Sequence, residues 1–171
     1  MLIHNKTGEQ VECYFKRVTE DEIKSNRYIP MNDGAFQWLK PLSQGYEIFS
    51  LVVKDQSDIA QGLIAVKPNA HPDFMCLDID IVESAPHSKR MSRNREYVGV
   101  GKDLLAFACA YSFEQGLDGY VELTSKTSNI KFYEQMGAQT SYGHQLYFDT
   151  ISASELIKKF LPGGVKWWSK A

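Results

Sequence analysis

Residues 95–138 read REYVGVGKDLLAFACAYSFEQGLDGYVELTSKTSNIKFYEQMGA, and this stretch decides the fold. Gly99 and Gly101 stand directly before a long segment in which apolar residues recur at helical spacing. We therefore expect a helix that begins beside these glycines and ends at Gly116, where a residue in the left-handed conformation would close it. The residues that follow predict a short strand, Gly119 to Thr124, and a second helix that stops at Gly137.

The glycine-flanked start of the first helix could hold an anion. The first turn of a helix leaves backbone N–H groups unpaired, the helix dipole favours negative charge there, and glycine lets a phosphate approach the backbone closely. The alternative is that the two glycines only form a tight turn and a cap, because short glycine motifs match often by chance. The spacing alone leaves both interpretations open.

The order of elements in this stretch resembles the central region of the GNAT-superfamily N-acetyltransferases. Two segments carry the resemblance: Val98-Gly99-Val100-Gly101 matches the pyrophosphate loop, and FYEQMGA, from Phe132 to Ala138, matches the second helix. The resemblance covers the chain from about Leu77 to Phe148.

This sequence departs from the family pattern at two positions. The family usually has Gln or Arg three residues before the first glycine, where this chain has Glu96, and Arg95 lies one place early. The Asn often found seven residues before the family's tyrosine is Lys126 here, while Asn129 lies four before Tyr133.

The resemblance implies an α+β fold with a mixed, mostly antiparallel central sheet flanked by helices. It also implies two parallel strands that splay apart, Phe74 to Val82 and Tyr120 to Thr124, with acetyl-CoA, the acyl donor, bound by its pantetheine arm between them. The cofactor-binding residues that we expect on this basis are Ile81, Val82, Tyr97, Val98, Gly99, Val100, Gly101, Lys102 and Asn129.

The reaction implied is direct acetyl transfer to a primary amine. An amine attacks only when neutral, yet its free pKa is about 10, so the site must take up a proton. The thioester oxygen gains negative charge and needs aimed donors, which we expect to be backbone N–H groups near Ile81 and Val82. Tyr133 aligns with the tyrosine that protonates the leaving thiolate in many family members, and the alternative is a half-buried helix aromatic.

Several carboxylates are candidates for the base that accepts the amine's proton. Glu83, at the end of the long strand, is our candidate; Asp78 and Asp80 alternate along one face of that strand, and Glu122 lies on the short strand. A solvated strand face would explain these acids equally well. Four basic residues before the glycines could meet the cofactor's 3′-phosphate or simply form a solvated loop: Lys89, Arg90, Arg93 and Arg95.

The composition fits an ordinary globular protein. We expect the 171 residues to form one domain, 1–171, and the net charge of −2 argues against general affinity for nucleic acid or an anionic membrane. Three widely spaced cysteines form no metal pattern with the histidines, so we expect no metal site and buried thiols in a reduced, cytoplasmic protein. No apolar run is long enough to span a membrane. The expected partner is a small-molecule or protein amine.

The remaining elements follow from local patterns. Strands are predicted at Val11 to Arg17, Tyr46 to Lys54, Ile59 to Val66 and, broken at Gly143, Thr140 to Phe148; a helix should start at Thr19, and a capping box from Ser152 to Glu155 should open a helix to Phe160. Residues 25–45 and the stretch from Glu83 to Val98 lack periodicity and are predicted to be irregular. Residues 25–45 could be a short helix and a loop that pack on the core, whereas the resemblance implies that this region helps to shape the acceptor side of the active site. The Trp167-Trp168 tail should dock on the body or on a partner subunit of a homodimer.

Three functions remain in competition. The first is an acyltransferase of the GNAT type, and the second is an acyl-CoA-binding or sensing module of the same fold that has lost turnover. The third is a domain unrelated to CoA whose glycines only cap a helix.

Overall fold

The computed structural model describes residues 1–25, 38–89, 92–125 and 127–169, and the structural statements below concern these residues. The strands are β1 (Leu2–His4), β2 (Gln10–Val11), β3 (Cys13–Arg17), β4 (Glu47–Val53), β5 (Gly62–Asn69), β6 (Cys76–Ser84), β7 (Tyr97–Val98), β8 (Val121–Thr124), β9 (Gln139–Tyr142) and β10 (Gln145–Phe148). The α-helices are α1 (Glu20–Lys24), α2 (Leu39–Ser43), α3 (Val100–Glu114), α4 (Ile130–Gln135) and α5 (Thr150–Phe160).

The described strands form a seven-stranded sheet of order β3-β4-β5-β6-β8-β10-β9 and a three-stranded sheet of order β2-β1-β7. Strand β4 is antiparallel to β3, and β10 is antiparallel to both β8 and β9, whereas β6 and β8 run parallel. This arrangement confirms the predicted fold class, α+β with a mixed, mostly antiparallel sheet.

The parallel pair of strands has a short register. Leu77, Asp78 and Ile79 stand opposite Val121, Glu122 and Leu123, and the Leu77 N–H donates to the carbonyl of Tyr120 at 2.8 Å. The register ends at Ile79 although β6 continues to Ser84. The pairing takes in three of the four residues of β8, so the second half of β6 extends beyond it, and the splaying of the two strands stays a prediction.

The described residues fall into two compact units. The first comprises Met1–Ala65, Ile81–Leu104 and Val165–Ala171, in each case counting described residues only. Its core is a cluster of buried apolar side chains that includes Val18, Ile48, Val52 and Leu63. The second unit comprises Val66–Asp80 and Leu105–Gly164, and its buried side chains include Phe107, Val121, Leu146 and Phe148.

The C-terminal tail packs on the first unit, as predicted from its tryptophans. The Phe15 N–H donates to the carbonyl of Lys166 at 2.8 Å, and the Trp168 N–H donates to the carbonyl of Phe15 at 2.9 Å. The Trp168 ring meets Tyr14 edge-on at a centroid distance of 5.3 Å, and the Trp167 ring lies 5.7 Å from Phe49. The tail therefore extends the hydrogen bonding of β3.

Two of the predicted strands are wrong in their limits. The strand predicted from Val11 to Arg17 is two strands, because Val11 pairs with Leu2 of β1 whereas Cys13 pairs with Val53 of β4. The strand predicted from Ile59 begins only at Gly62, since the Ile59 N–H donates to the carbonyl of Gln56 and closes a turn.

The two predicted capping boxes have different outcomes. Thr19 caps α1 and its side chain accepts from the Glu22 N–H, as predicted. The box predicted from Ser152 to Glu155 is wrong, because α5 begins one turn earlier. The Asp149 carboxylate accepts from the Ser152 N–H at 2.8 Å, and the Ser152 hydroxyl accepts from the Asp149 N–H at 3.0 Å.

The two stretches predicted to be irregular are partly ordered. In the stretch from Glu83 to Val98, the first residues complete β6, Pro86–Ser88 form a short 3₁₀ helix, and the last two form β7. Of residues 25–45, positions 26–37 lie outside the described residues, and the rest includes α2. Within the described part of the chain, no helix is long and apolar enough to cross a membrane.

Candidate functional site

The start of α3 is shaped by Gly99. Its φ of +101° belongs to the left-handed region that favours glycine, and its carbonyl accepts the Asp103 N–H at 2.9 Å, which makes Gly99 the residue that opens the helix. A Cβ placed on Gly99 would meet only the Leu2 Cδ2, at 4.0 Å. The space beside the first helical turn is therefore open, and the start of a helix is where backbone N–H groups can face an anion.

A second glycine, Gly62, fixes where this helix start lies on the sheet. A Cβ on Gly62 would stand 2.6 Å from Val100 Cγ1, 2.8 Å from Leu104 Cδ1 and 2.9 Å from the backbone oxygen of Glu83. The helix start and the end of β6 can approach β5 this closely only because Gly62 has no side chain. Gly62 was not among the predicted site residues, although an isolated glycine within a strand pattern is a signal of close backbone approach.

Glu83 is a buried carboxylate next to a lysine. Its side chain is 5% exposed, and its Oε1 lies 3.3 Å from the Nζ of Lys89. The ammonium group balances the charge of a carboxylate that burial would otherwise penalise. Because Ile81 and Val82 precede Glu83 on the same strand, the three predicted residues occupy one continuous stretch at the end of β6.

A buried glutamine anchors the segment between β6 and α3. Gln61 is fully buried, and its Oε1 lies 2.7 Å from the Nε2 of His87 and 3.5 Å from the hydroxyl of Ser88. The backbone continues the connection, since the Ala85 N–H donates to the Gln61 carbonyl and the Glu96 N–H donates to the His87 carbonyl, both at 2.8 Å. The sequence offered no local signal for this contact, because its partners lie in different elements.

The side chain of Tyr97 interacts with the Glu96 carboxylate. Tyr97 is buried in β7, and its pKa is raised first by burial and then by the charge of Glu96 and the hydrogen bond with that carboxylate. The Nε of Arg95 donates to the Tyr97 carbonyl at 3.1 Å. The residue that departs from the family pattern thus supports Tyr97, and Val98 continues β7 by pairing with Ile3.

The first turn of α3 contains the other predicted cofactor residues. Val100 is buried, Gly101 is half-buried and Lys102 is exposed. The fourth residue of the turn, Asp103, is fully buried, and its carboxylate accepts from the Cys13 thiol at 3.4 Å. Asp103 therefore supports the packing of the helix, which leaves the N–H groups of the turn as its anion-binding feature.

In the second unit, α4 places Tyr133 one turn after Asn129, the helix's N-cap residue. Tyr133 is 8% exposed, its ring meets Phe132 edge-on at 5.3 Å, and burial raises its pKa. The phenol therefore stays protonated across neutral pH. The helix ends as predicted, since Gly137 has a φ of +103°.

The acidic strand residues also lie in the second unit. Asp78 is half-buried opposite Glu122, and Asp80 is exposed. The Glu122 carboxylate accepts from the Cys76 thiol at 3.5 Å and from the side-chain amide of Gln145. Of the predicted catalytic and cofactor-binding residues, Asn129 and Tyr133 also belong to the second unit, and the others, Glu83 among them, belong to the first. Their roles in binding and catalysis remain predictions.

The three cysteines are buried, as predicted. Burial is the main cause that raises the pKa of each thiol to about 12, for Cys13, Cys76 and Cys109 alike. Neither a nucleophilic thiolate nor a thiolate metal ligand is expected from such groups.

The sheet order, the parallel β6–β8 pair and the glycine-opened α3 together define the GNAT fold, which the structural comparisons confirm. No protein-family model matches the sequence, and comparison with curated proteins finds no match. The likeness is therefore one of structure.

Several solved structures superpose on this chain. AtaTR bound with acetyl-CoA matches with a TM-score of 0.61 at 13% identity, covering 85% of this chain and 98% of that one. A Bacillus subtilis acetyltransferase in complex with CoA matches with a TM-score of 0.54 at 14% identity, covering 82% and 99%. The KacTA–DNA complex matches with a TM-score of 0.60 at 12% identity, covering 86% and 99%. At these identities the likeness establishes the fold.

Proposed function

We propose that this protein is an N-acetyltransferase that uses acetyl-CoA as the acyl donor and transfers the acetyl group to a primary amine by direct attack. The amine nitrogen forms a bond to the thioester carbonyl carbon, and the carbon–sulfur bond then breaks. The amine loses one proton to a base, and the leaving thiolate gains one from an acid, so that the products are an amide and CoA.

The observation that carries the proposal is the open, left-handed Gly99 at the start of α3. A diphosphate is bound well by the N–H groups of a helix's first turn, and bulk at the preceding residue would obstruct it. Here the Cβ position of Gly99 has no neighbour closer than 4.0 Å. Three of the structural neighbours were solved with acetyl-CoA or CoA, which supports the same ligand for this chain.

The proposal assigns the remaining roles as follows. Tyr133, kept protonated by its raised pKa, donates the proton to the leaving thiolate. Glu83 accepts the amine's proton, directly or through water, and Lys89 holds the carboxylate in place. The backbone N–H groups near Ile81 and Val82 stabilise the oxyanion. Asn129 and the segment from Tyr97 to Lys102 bind the cofactor.

A second candidate is an acyl-CoA-binding or sensing module without turnover. Two observations favour it: Glu96, which stands where the family usually has Gln or Arg, is engaged with Tyr97, and the proposed base is paired with a lysine. Such a module would bind acetyl-CoA and release no CoA in the presence of amines.

Two measurements separate the candidates. Acetyl-CoA should raise the melting temperature of the protein, because a ligand at about 100 times its Kd stabilises the native state by about 2.7 kcal/mol. A domain unrelated to CoA would show no such rise. Release of CoA thiol with a panel of primary amines then identifies the transferase, and binding without release identifies the sensing module.

A pair of matched variants tests the phosphate loop itself. Gly101→Asp places a negative charge in the proposed diphosphate site and should abolish the stabilisation by acetyl-CoA. Gly163→Asp adds the same charge at an exposed glycine with no neighbouring atom within 4 Å, and should leave the stabilisation intact. Equal stabilisation of both variants would contradict the assignment of the loop.

The purified protein can also be tested for binding to nucleic acid. The net charge of −2 leads us to propose that the protein alone does not bind DNA. The KacTA–DNA and AtaT–AtaR–DNA structures are complexes of those proteins. An electrophoretic mobility assay with duplex DNA at about 0.15 M salt should show no shift, and a shift would overturn this part of the proposal.

A further inference from the structure

A pocket of about 420 Å³ opens in the second unit beside the strand pair β8–β10. Its lining includes Asp73, Phe74, Tyr120, Glu122, Gln145 and Tyr147. The volume falls in the range of pockets that hold small organic molecules, about 300–1,000 Å³. None of the residues assigned to catalysis or cofactor binding above contributes to this lining.

The charge of the pocket is negative. Glu122 and Asp73 contribute two carboxylates, and the lining, which consists entirely of described residues, contains no lysine, arginine or histidine. Glu122 accepts hydrogen bonds from a thiol and from an amide, and because both donors are neutral, neither cancels its charge. At the rim, the ring of His71 lies 3.8 Å from the Asp73 carboxylate.

The neighbouring strand adds to this negative field. Asp78, on β6, stands opposite Glu122 in the parallel register. The Cys76 thiol donates to the Glu122 carboxylate, and its pKa is raised to about 12 by burial first, and then by Glu122 and Asp78.

The walls of the pocket are apolar and aromatic. Phe74 is 65% exposed, Met75 is 47% exposed and Tyr120 is 41% exposed. Large apolar side chains grouped at one opening mark a ligand surface more often than single exposed ones do. Aromatic faces also attract cations, which adds to the effect of the carboxylates.

We propose that this pocket binds a small organic ammonium ion with an apolar body. The ammonium group pairs with Glu122, and the apolar body packs against Phe74 and Tyr120. This inference uses contacts within the second unit only, so it stands whether or not the protein transfers acetyl groups. The same chemistry makes an organic anion a poor ligand, since it would face the two carboxylates.

The test is a titration of the full chain with three probes of similar shape, followed by ¹H–¹⁵N NMR at neutral pH. The probes are 2-phenylethylammonium, the neutral 2-phenylethanol and the anionic 3-phenylpropionate. We expect saturable shifts at the amides of Val121, Glu122 and Gln145 with the ammonium, affinity about tenfold weaker for the alcohol, and no binding of the carboxylate.

Two variants test the carboxylate and the aromatic wall of the pocket separately. Glu122→Gln removes the charge at nearly constant volume and should weaken the ammonium about tenfold, with little effect on the alcohol. Phe74→Ala should weaken both probes, and its side chain is exposed enough for the fold to tolerate the change. The controls are Glu155→Gln and Ile151→Ala, which alter exposed side chains of α5 in the same unit and should leave both affinities unchanged.

The outcomes that overturn the proposal are definite. Similar affinities for the three probes would show that charge plays no part, and unchanged binding to Glu122→Gln would remove the proposed ammonium partner. Absence of saturable binding, or shifts confined to residues outside the pocket, would exclude the site. Stabilisation by acetyl-CoA is measured separately, so failure here leaves the proposed function standing.

Discussion

Replacing Gly62 with alanine should destabilise the protein and lower its affinity for acetyl-CoA. The added Cβ would lie 2.6 Å from Val100 Cγ1 and 2.8 Å from Leu104 Cδ1, well inside the 3.5–4.0 Å at which carbon atoms attract. The third neighbour, the backbone oxygen of Glu83 at 2.9 Å, can move only if β6 moves. The clash must therefore push the start of α3 away from the sheet.

Two opposing effects determine how much Gly62→Ala changes the free energy of unfolding. Overpacking of this kind costs about 1–3 kcal/mol, while Gly→Ala stabilises by about 0.4–1 kcal/mol through the unfolded state. Because three atoms lie within 3.0 Å of the added Cβ, the cost should fall in the upper part of the overpacking range, and we expect a net loss of about 1–2 kcal/mol in the free energy of unfolding, measured by urea titration. For a chain of this size, that loss lowers Tm by about 2–8 °C. Acetyl-CoA affinity should also fall, because Val100 begins the helix that the proposal places at the diphosphate.

Gly163→Ala is the matched control. Gly163 is exposed, and a Cβ there would have no neighbour within 4 Å, so the change should be neutral or stabilise by up to about 1 kcal/mol. If Gly62→Ala unfolds at the same urea concentration as the parent, the packing argument is refuted. If it is destabilised yet binds acetyl-CoA with parental affinity, the link between Gly62 and the cofactor site is wrong.

Three further predictions concern other parts of the chain. Tyr133→Phe should lower kcat about a hundredfold or more while sparing the Kd for acetyl-CoA, and equal rates at every pH would rule out the acid role. The buried thiols, with pKa values raised from 9.0 to about 12, should react with Ellman's reagent at pH 8 about a thousandfold more slowly than exposed cysteines do, until urea exposes all three. Asp149→Ala should cost about 1 kcal/mol at pH 7 through loss of the α5 cap. Because hydrogen bonds with Ser152 hold the pKa of Asp149 below 3.8 in the folded state, the parent's advantage is complete above that pH and is lost as pH falls through the folded value, so parent and variant should converge in acid.

The part of the fold that could be predicted is the part specified by local signals. Gly116 and Gly137 both have positive φ and close their helices, at 76° and 103°, because only glycine adopts this conformation without strain. The three-stranded sheet was missed because β1, β2 and β7 are too short to show alternation and their partners lie far apart in the chain. The start of α5 was misplaced because two cap patterns overlap at Ser152, and contact geometry selects the earlier one.

The residues of the candidate site also differ in whether a local sequence signal identifies them. Gly99 could be recognised from its neighbours in the sequence, since a glycine before a helix is a local motif. The contact of Gln61 with His87 could not, because a buried glutamine becomes an anchor only when the chain brings a distant donor to it. Gly62 lies between these cases, as its sequence signal indicates a close approach and does not say to what.

The contact between the tail and β3 has a consequence for folding during synthesis. Glu12 and Lys166 form an ion pair across 154 positions, and the adjacent Phe15 takes its backbone partners from the tail. During synthesis the ribosome therefore presents the first unit's outer strand long before the segment that covers it exists. Until translation reaches that segment, the strand's N–H and C=O groups are open to other nascent chains, a window in which chaperone binding or slow translation would affect yield.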